Sequence, residues 1–227
     1  MRHIGICLGL LLALATPSSP GAELADMERR LQACAACHGE EGRSAEETYA
    51  PSIAGKPAGY LHQQLKNFRD GRRQQRVMQQ MLAYLSDDYL EAMAAYYAAQ
   101  RPAVAARQGA VSPAMLERGR RLVEEGDPAR DLPACVACHG ERLLGVAPAI
   151  PGLIALSADY LAAQLGAWRA GSRKAAPPDC MAAVAGRLER DEIAAVTAWI
   201  ASRPVPEKHA PAPGLTHELP LPCGGVP

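Results

Sequence analysis

The chain has 227 residues, with 24 Lys+Arg against 24 Asp+Glu and a formal net charge of +0 at pH 7. This balance offers no basic face to a nucleic-acid partner, which usually requires one. Aromatic residues make up only 4% of the chain against 48% hydrophobic residues overall, so the apolar content is mostly Ala and Leu, and a core needs help to fill.

Residues 1–22 read as a secretory signal peptide: basic Arg2 and His3, an apolar run from Ile4 to Ala15, then small residues and prolines before Glu23. The run falls short of the about 20 apolar residues that a membrane span needs, so the mature chain is expected to have no span. Cys7 lies inside the run, whereas a lipid-anchoring cysteine would follow it. Export implies an oxidising compartment, here the periplasm, in which thiols pair or bind something.

The remainder uses one module twice. "CAACHG" at 34–39 returns as "CVACHG" at 135–140, an offset of 101. "YLHQQLKNFRDG" from Tyr60 parallels "YLAAQLGAWRAG" from Tyr160 at an offset of 100, and the stretch from Met78 parallels that from Met181 at an offset of 103. The divisions are a first domain over 23–102, a linker over 103–112, a second domain over 113–203 and a tail over 204–227.

In chain order the periodicity is helical. Leu61, Leu65 and Phe68 fall at i, i+4, i+7, as do Leu161, Leu165 and Trp168. Ser86 followed by Asp87 and Asp88 gives a capped, acid-rich start to the last helix of the first copy. Ser112-Pro113 opens another helix that ends near Gly126. No alternating strand pattern stands out, so the fold class is all-α. The tail holds seven prolines in 24 residues, too many for a helix, and must be extended or looped. A module of fewer than about 100 residues is marginal without a staple, metal or cofactor.

Cys34-x-x-Cys37-His38 and Cys135-x-x-Cys138-His139 have the attachment signal for c-type haem. Two thiols about one helical turn apart meet the two vinyl groups, while the adjoining imidazole reaches the iron from one side. A single four-thiolate zinc site is the rival, but zinc gives no reason for a His after both pairs. On the other face of each iron a Met thioether is the usual electron-transfer ligand. Met181 stands seven residues before Leu188, and Met78 seven before Leu85, which selects Met78 and Met181, with Met81 as runner-up. The remaining cysteines, Cys180 and Cys223, are the one pair left and are expected to form a disulfide that holds the tail. The rival use of Cys180 is as the iron ligand itself.

Over most of residues 30–202 the chain resembles the periplasmic dihaem cytochromes c of the cytochrome c4 type. The resemblance rests on "CAACHGEEG", "PSIAGKPAGYLHQQLKNFRDGRR" and "MQQMLAYLSDDYLEAMAAYYA" with their weaker second copies. It implies two tandem class I cytochrome c domains, packed together for electron transfer, each around one covalent haem c. It also implies that the carbonyls of Pro51 and Pro151 accept a hydrogen bond from the rings of His38 and His139, and that Arg69 and Arg169 lie near the haem propionates. Arg72, Arg73 and Arg173 read individually as solvated helix ends, and His62, His209 and His217 as surface residues. Tyr96 and Trp199 are expected to pack against the first helix of their domains. The chain departs from the family in having Glu28 where the second copy keeps Gly119, Glu189-Arg190 in place of Ser86-Asp87, and the tail with Cys223.

The leading function is a periplasmic carrier of electrons without substrate chemistry of its own. Its partners would be a donor dehydrogenase or quinol-oxidising complex and, as the resemblance implies, a terminal oxidase. The alternatives are a cytochrome subunit of a periplasmic dehydrogenase, and a dihaem enzyme of peroxidase or thiosulfate-oxidising type.

Overall fold

The computed structural model describes residues 26–44, 50–101, 111–206 and 210–226. The signal peptide, residues 103–110 of the linker and His209 lie outside them. In the first domain a helical stretch over 26–30 leads into α1 (Gln32–His38), followed by α2 (Ala58–Arg69), α3 (Arg76–Leu82) and α4 (Asp87–Ala99). The second domain has α5 (Pro113–Glu124), α6 (Val136–His139), α7 (Ala158–Arg169), α8 (Cys180–Arg187) and α9 (Arg190–Ala201).

Several of the helices begin where a side chain takes an orphan backbone N–H. Ser86 accepts from Tyr89 N, Ser112 from Met115 N and Ser157 from Tyr160 N. At α9 the departure from a Ser-Asp start is made good by Glu192, whose carboxylate accepts from the backbone N–H of Glu189 at 2.9 Å. The first core gathers Leu31, Leu61, Phe68, Leu82, Leu90 and Tyr97; the second gathers Val123, Leu143, Leu161, Ile193, Val196 and Trp199. In the second domain α5 and α9 cross in contact because position 119 is Gly: a Cβ there would stand 2.1 Å from the carbonyl oxygen of Ala195. Trp199 lies against α5 at this crossing. In the last helix of the first domain the buried aromatic is Tyr97, 4% exposed, with Tyr96 half-buried and edge-on to it at 5.2 Å.

A small antiparallel sheet pairs β1 (Gly145–Val146) with β2 (Ile150–Pro151). It escapes the period-two test because it is built by backbone approach rather than by alternation. A Cβ on Gly145 would stand 2.5 Å from Gly152 N. The tail joins this sheet, with Ala212 N donating to Gly145 O at 2.9 Å and Ala147 N to Ala212 O at 2.8 Å. It continues past α6, where His217 Nε2 donates to Ala137 O at 2.8 Å, to the Cys180–Cys223 disulfide. Beyond that bond Gln63 of α2 donates to Gly225 O at 2.6 Å, so the tail touches both domains.

The two domains meet through the turns after α2 and α7. Arg73 and Arg173 form an antiparallel bridge, with Gln74 N donating to Ser172 O and Lys174 N to Arg72 O, both at 2.8 Å. Arg73 Nη2 donates to Tyr160 Oη at 3.0 Å and Gln164 Oε1 at 2.6 Å; Arg173 Nη2 donates to Tyr60 Oη at 3.3 Å and Gln64 Oε1 at 3.0 Å. Each guanidinium also lies over an aromatic ring of its own domain, Arg73 over Phe68 and Arg173 over Trp168. The reading of these two arginines as solvated helix ends is therefore corrected: they are 9% and 5% exposed. Guanidinium groups tolerate that burial because their donors are met by oxygens and their faces by rings.

Candidate functional site

Each Cys-x-x-Cys-His segment is wound into a short helix and ended by a glycine in the left-handed region, Gly39 at φ 74° and Gly140 at φ 81°. That ending turns the chain back so that a proline carbonyl meets the imidazole. His38 Nδ1 lies 2.9 Å from Pro51 O, and His139 Nδ1 lies 2.8 Å from Pro151 O. A carbonyl only accepts, so Nδ1 carries the proton in both rings and the Nε2 lone pair is left for a metal. Burial, as the largest cause, lowers the pKa of both rings, and the neutral form is the one that ligates.

None of Cys34, Cys37, Cys135 and Cys138 is taken up in a disulfide, so all four sulfurs are available for haem attachment. Burial pushes the Cys135 thiol up to about 12, and Cys34 is raised for the same reason although its hydrogen bond with Tyr97 opposes the rise. Among the described residues no three His, Cys, Asp or Glu side chains come together as a metal-ion cluster, so the two cysteine pairs do not build one zinc site.

Met78 is half-buried and packs against the first core, whereas Met81, three residues on, is 46% exposed. The inward methionine of α3 is thus the one that keeps the repeat spacing. Met181 is half-buried in the first turn of α8, which Asp179 caps by accepting from Ala182 N at 3.0 Å. Its neighbour Cys180 is bonded to Cys223, with Cα atoms 5.1 Å apart, and a disulfide sulfur is no thiolate ligand.

Arg69 and Arg169, expected near the haem propionates, both donate to protein oxygens. Arg69 Nη1 donates to Leu85 O at 3.1 Å and to Asp87 at 2.6 Å, and Arg169 Nη1 donates to Leu188 O at 2.7 Å. Both tie the Tyr60/Tyr160 helix to the loop before the last helix, so these contacts lend the propionate role no support. His62 is also corrected. Its ring is half-buried and Nε2 has no partner among the described residues, while His217 is exposed as expected.

The structure also bears on whether a haem fits. Trp168 Nε1 is a buried N–H without an acceptor, a costly state that a propionate oxygen in the site would relieve. Two thiols and a neutral imidazole in each domain, with Met78 packed inward and Met181 half-buried at the matching place, suit a His/Met haem c. Trp168 and the Arg73/Arg173 pair were missed as functional residues in the sequence. Their signal was present, since Phe68/Trp168 and Arg73/Arg173 recur at the offset of 100 that relates Tyr60 to Tyr160.

The cytochrome c family model matches residues 18–99 and again residues 116–204. The chain belongs to the cytochrome c family. A cytochrome c4 from Pseudomonas aeruginosa is 32% identical over 202 residues, covering 88% of this chain and 98% of that protein. A "Thiosulfate dehydrogenase electron acceptor" from Stutzerimonas stutzeri is 41% identical over 170 residues, 75% of this chain and 78% of that protein. Among solved structures, reduced cytochrome c4 from Pseudomonas stutzeri superposes with a TM-score of 0.68 at 30% identity, over 82% of this chain and 99% of that one. A thiosulfate dehydrogenase (TsdBA) from Marichromatium purpuratum gives a TM-score of 0.72 at 39% identity; this chain spans 40% of that longer chain. Within the family the chain is a dihaem cytochrome of the c4 type with two covalently bound haem c, and it transfers electrons. Each haem supplies an iron that cycles between ferric and ferrous states, one electron at a time.

Proposed function

We propose that this cytochrome accepts electrons from a periplasmic thiosulfate dehydrogenase and passes them onward, a terminal oxidase being the expected sink, without substrate chemistry of its own. The observation that carries the reading is the 41% and 38% identity to two proteins named as electron acceptors of thiosulfate dehydrogenase, against 32% for the cytochrome c4 of Pseudomonas aeruginosa. The site geometry agrees with a carrier. Cys34/Cys37 and Cys135/Cys138 would hold the haems, and ligation of the irons by His38/Met78 and His139/Met181 would leave no coordination site for a substrate. The thiosulfate-oxidising alternative leaned on Cys180 as a thiolate, and that sulfur is spent on Cys223. No described helix is long and apolar enough to cross a membrane.

Absorption of the oxidised holoprotein, mixed with thiosulfate in the presence and absence of a purified thiosulfate dehydrogenase, tests the proposal. Both haems are expected to reduce only when enzyme and thiosulfate are present together. Equally fast reduction by thiosulfate alone would assign the chemistry to this chain and overturn the reading.

A further inference from the structure

The contacts around Arg73 and Arg173 are reciprocal, but one polar contact between the domains is one-sided. Lys56, in the loop that leads into α2, sends its side chain into the second domain, where Nζ donates to Gly152 O at 2.8 Å. The corresponding residue of the second copy is Leu156, buried in the second core, so no cation is returned. Lys56 lines a pocket together with Leu143, Leu144, Ile154, Val205 and the hydroxyl residue Ser52, and among the described residues lining this space none is a carboxylate. Such surroundings screen a charge poorly.

What makes this lysine more than a strut is where it points. Gly152 follows Pro151, whose carbonyl takes the proton of His139 Nδ1 at 2.8 Å. The ammonium and the imidazole are thus joined through two hydrogen bonds and adjacent peptide groups. We propose that Lys56 of the first domain is a positioning residue for the redox centre of the second: its charge favours the ferrous over the ferric state there and raises that haem's potential alone. The step it biases is the gain of one electron by a ferric haem, supplied by the first haem or by a redox partner, with no atom transferred. Burial holds the lysine pKa down to about 8, so a charge maintained in this place is maintained at a cost. This inference rests on His139 and Met181 as the ligands of the second haem.

Redox titration of the two-haem holoprotein, followed by absorption, tests it in Lys56→Met and Lys56→Arg. In Lys56→Met one midpoint potential is expected to fall, moving the electron distribution between the haems about tenfold, which is about 59 mV for a one-electron couple. The other potential stays in place, and Lys56→Arg, which keeps the charge, stays close to the parent. Combining Lys56→Met with Met181→His, which displaces the second haem's transition, identifies the haem that responds. Two unchanged potentials in Lys56→Met, an equal fall in both, or a Lys56→Arg protein indistinguishable from Lys56→Met would overturn the proposal. A Met181→His protein with both transitions unaltered would instead sink the ligand assignment, leaving the Lys56 comparison readable from the pair of potentials.

Discussion

Arg73 of the first domain and Arg173 of the second bridge backbone to backbone, and each donates to the tyrosine that begins the corresponding helix of the other domain. Removing the Arg173 guanidinium takes a donor from the Tyr60 hydroxyl and one of the two arginine donors from each of Gln64 Oε1 and Gln164 Oε1 at a buried seam. Arg173→Ala is expected to cost about 2 to 4 kcal/mol, the range for breaking a buried polar network. Lysine should not rescue it, because a point charge cannot meet both oxygens and lie flat on Trp168. Calorimetry checks this: the parent should melt as a coupled unit, and the variant should show the domains separating into two transitions.

Met78 and Met81 give a sharp contrast on one short helix. Met78→Ala is expected to remove half of the methionine-to-iron absorption of the oxidised protein, and Met81→Ala none of it. Loss of the band in Met81→Ala would reverse the assignment. Stability should follow the same order, since Met81 is 46% exposed and Met78 packs inward.

The disulfide closes a separation of 43 residues. In the chain-entropy account such a loop stabilises by about 4 kcal/mol, less any strain. Cys223→Ser is therefore expected to lower the melting temperature of the coupled unit, with the Arg73/Arg173 seam still intact. Hydrogen exchange should show where the tail has left: the amides of Ala147 and Ala212, bonded across the sheet edge, should lose protection.

Acid should act through Glu192. Its carboxylate is 8% exposed and bonded to Arg130 at 2.8 Å, which, as the largest cause, holds its pKa down to about 2 from an ordinary 4.5. A depressed folded-state pKa adds stability that is fully present above about 4.5 and is lost as the pH falls toward 2. Denaturant unfolding at a series of pH values should show the second domain weakening through that window. Glu192→Gln should flatten the dependence while lowering stability at neutral pH.

Much of this was legible along the chain, because haem attachment, capping and repetition are encoded in short spacings. Cys34, Cys37 and His38 define their chemistry within one helical turn, and Ser86 and Ser112 announce the helices they cap. The unread part is what depends on distant segments meeting. Arg73 looks like any basic residue after a helix until Tyr160 and Gln164 are brought to it, and His62 like any surface histidine until α2 turns its ring inward. The β1–β2 pair was illegible for another reason, since two residues per strand carry no period. Lys56 could be noticed only as a mismatch with Leu156, and a mismatch alone does not say where a side chain points.

The reciprocal seam is also symmetric. Tyr60 with Arg173 and Tyr160 with Arg73 are the two halves of an isologous contact, the kind that identical subunits make around a twofold axis. Tyr, Gln, an aromatic ring and Arg recur at these four places in each domain, so each half carries the whole of that contact. Joining the halves in one chain replaces concentration with tethering. A difference such as Lys56 opposite Leu156 breaks that equivalence at one place.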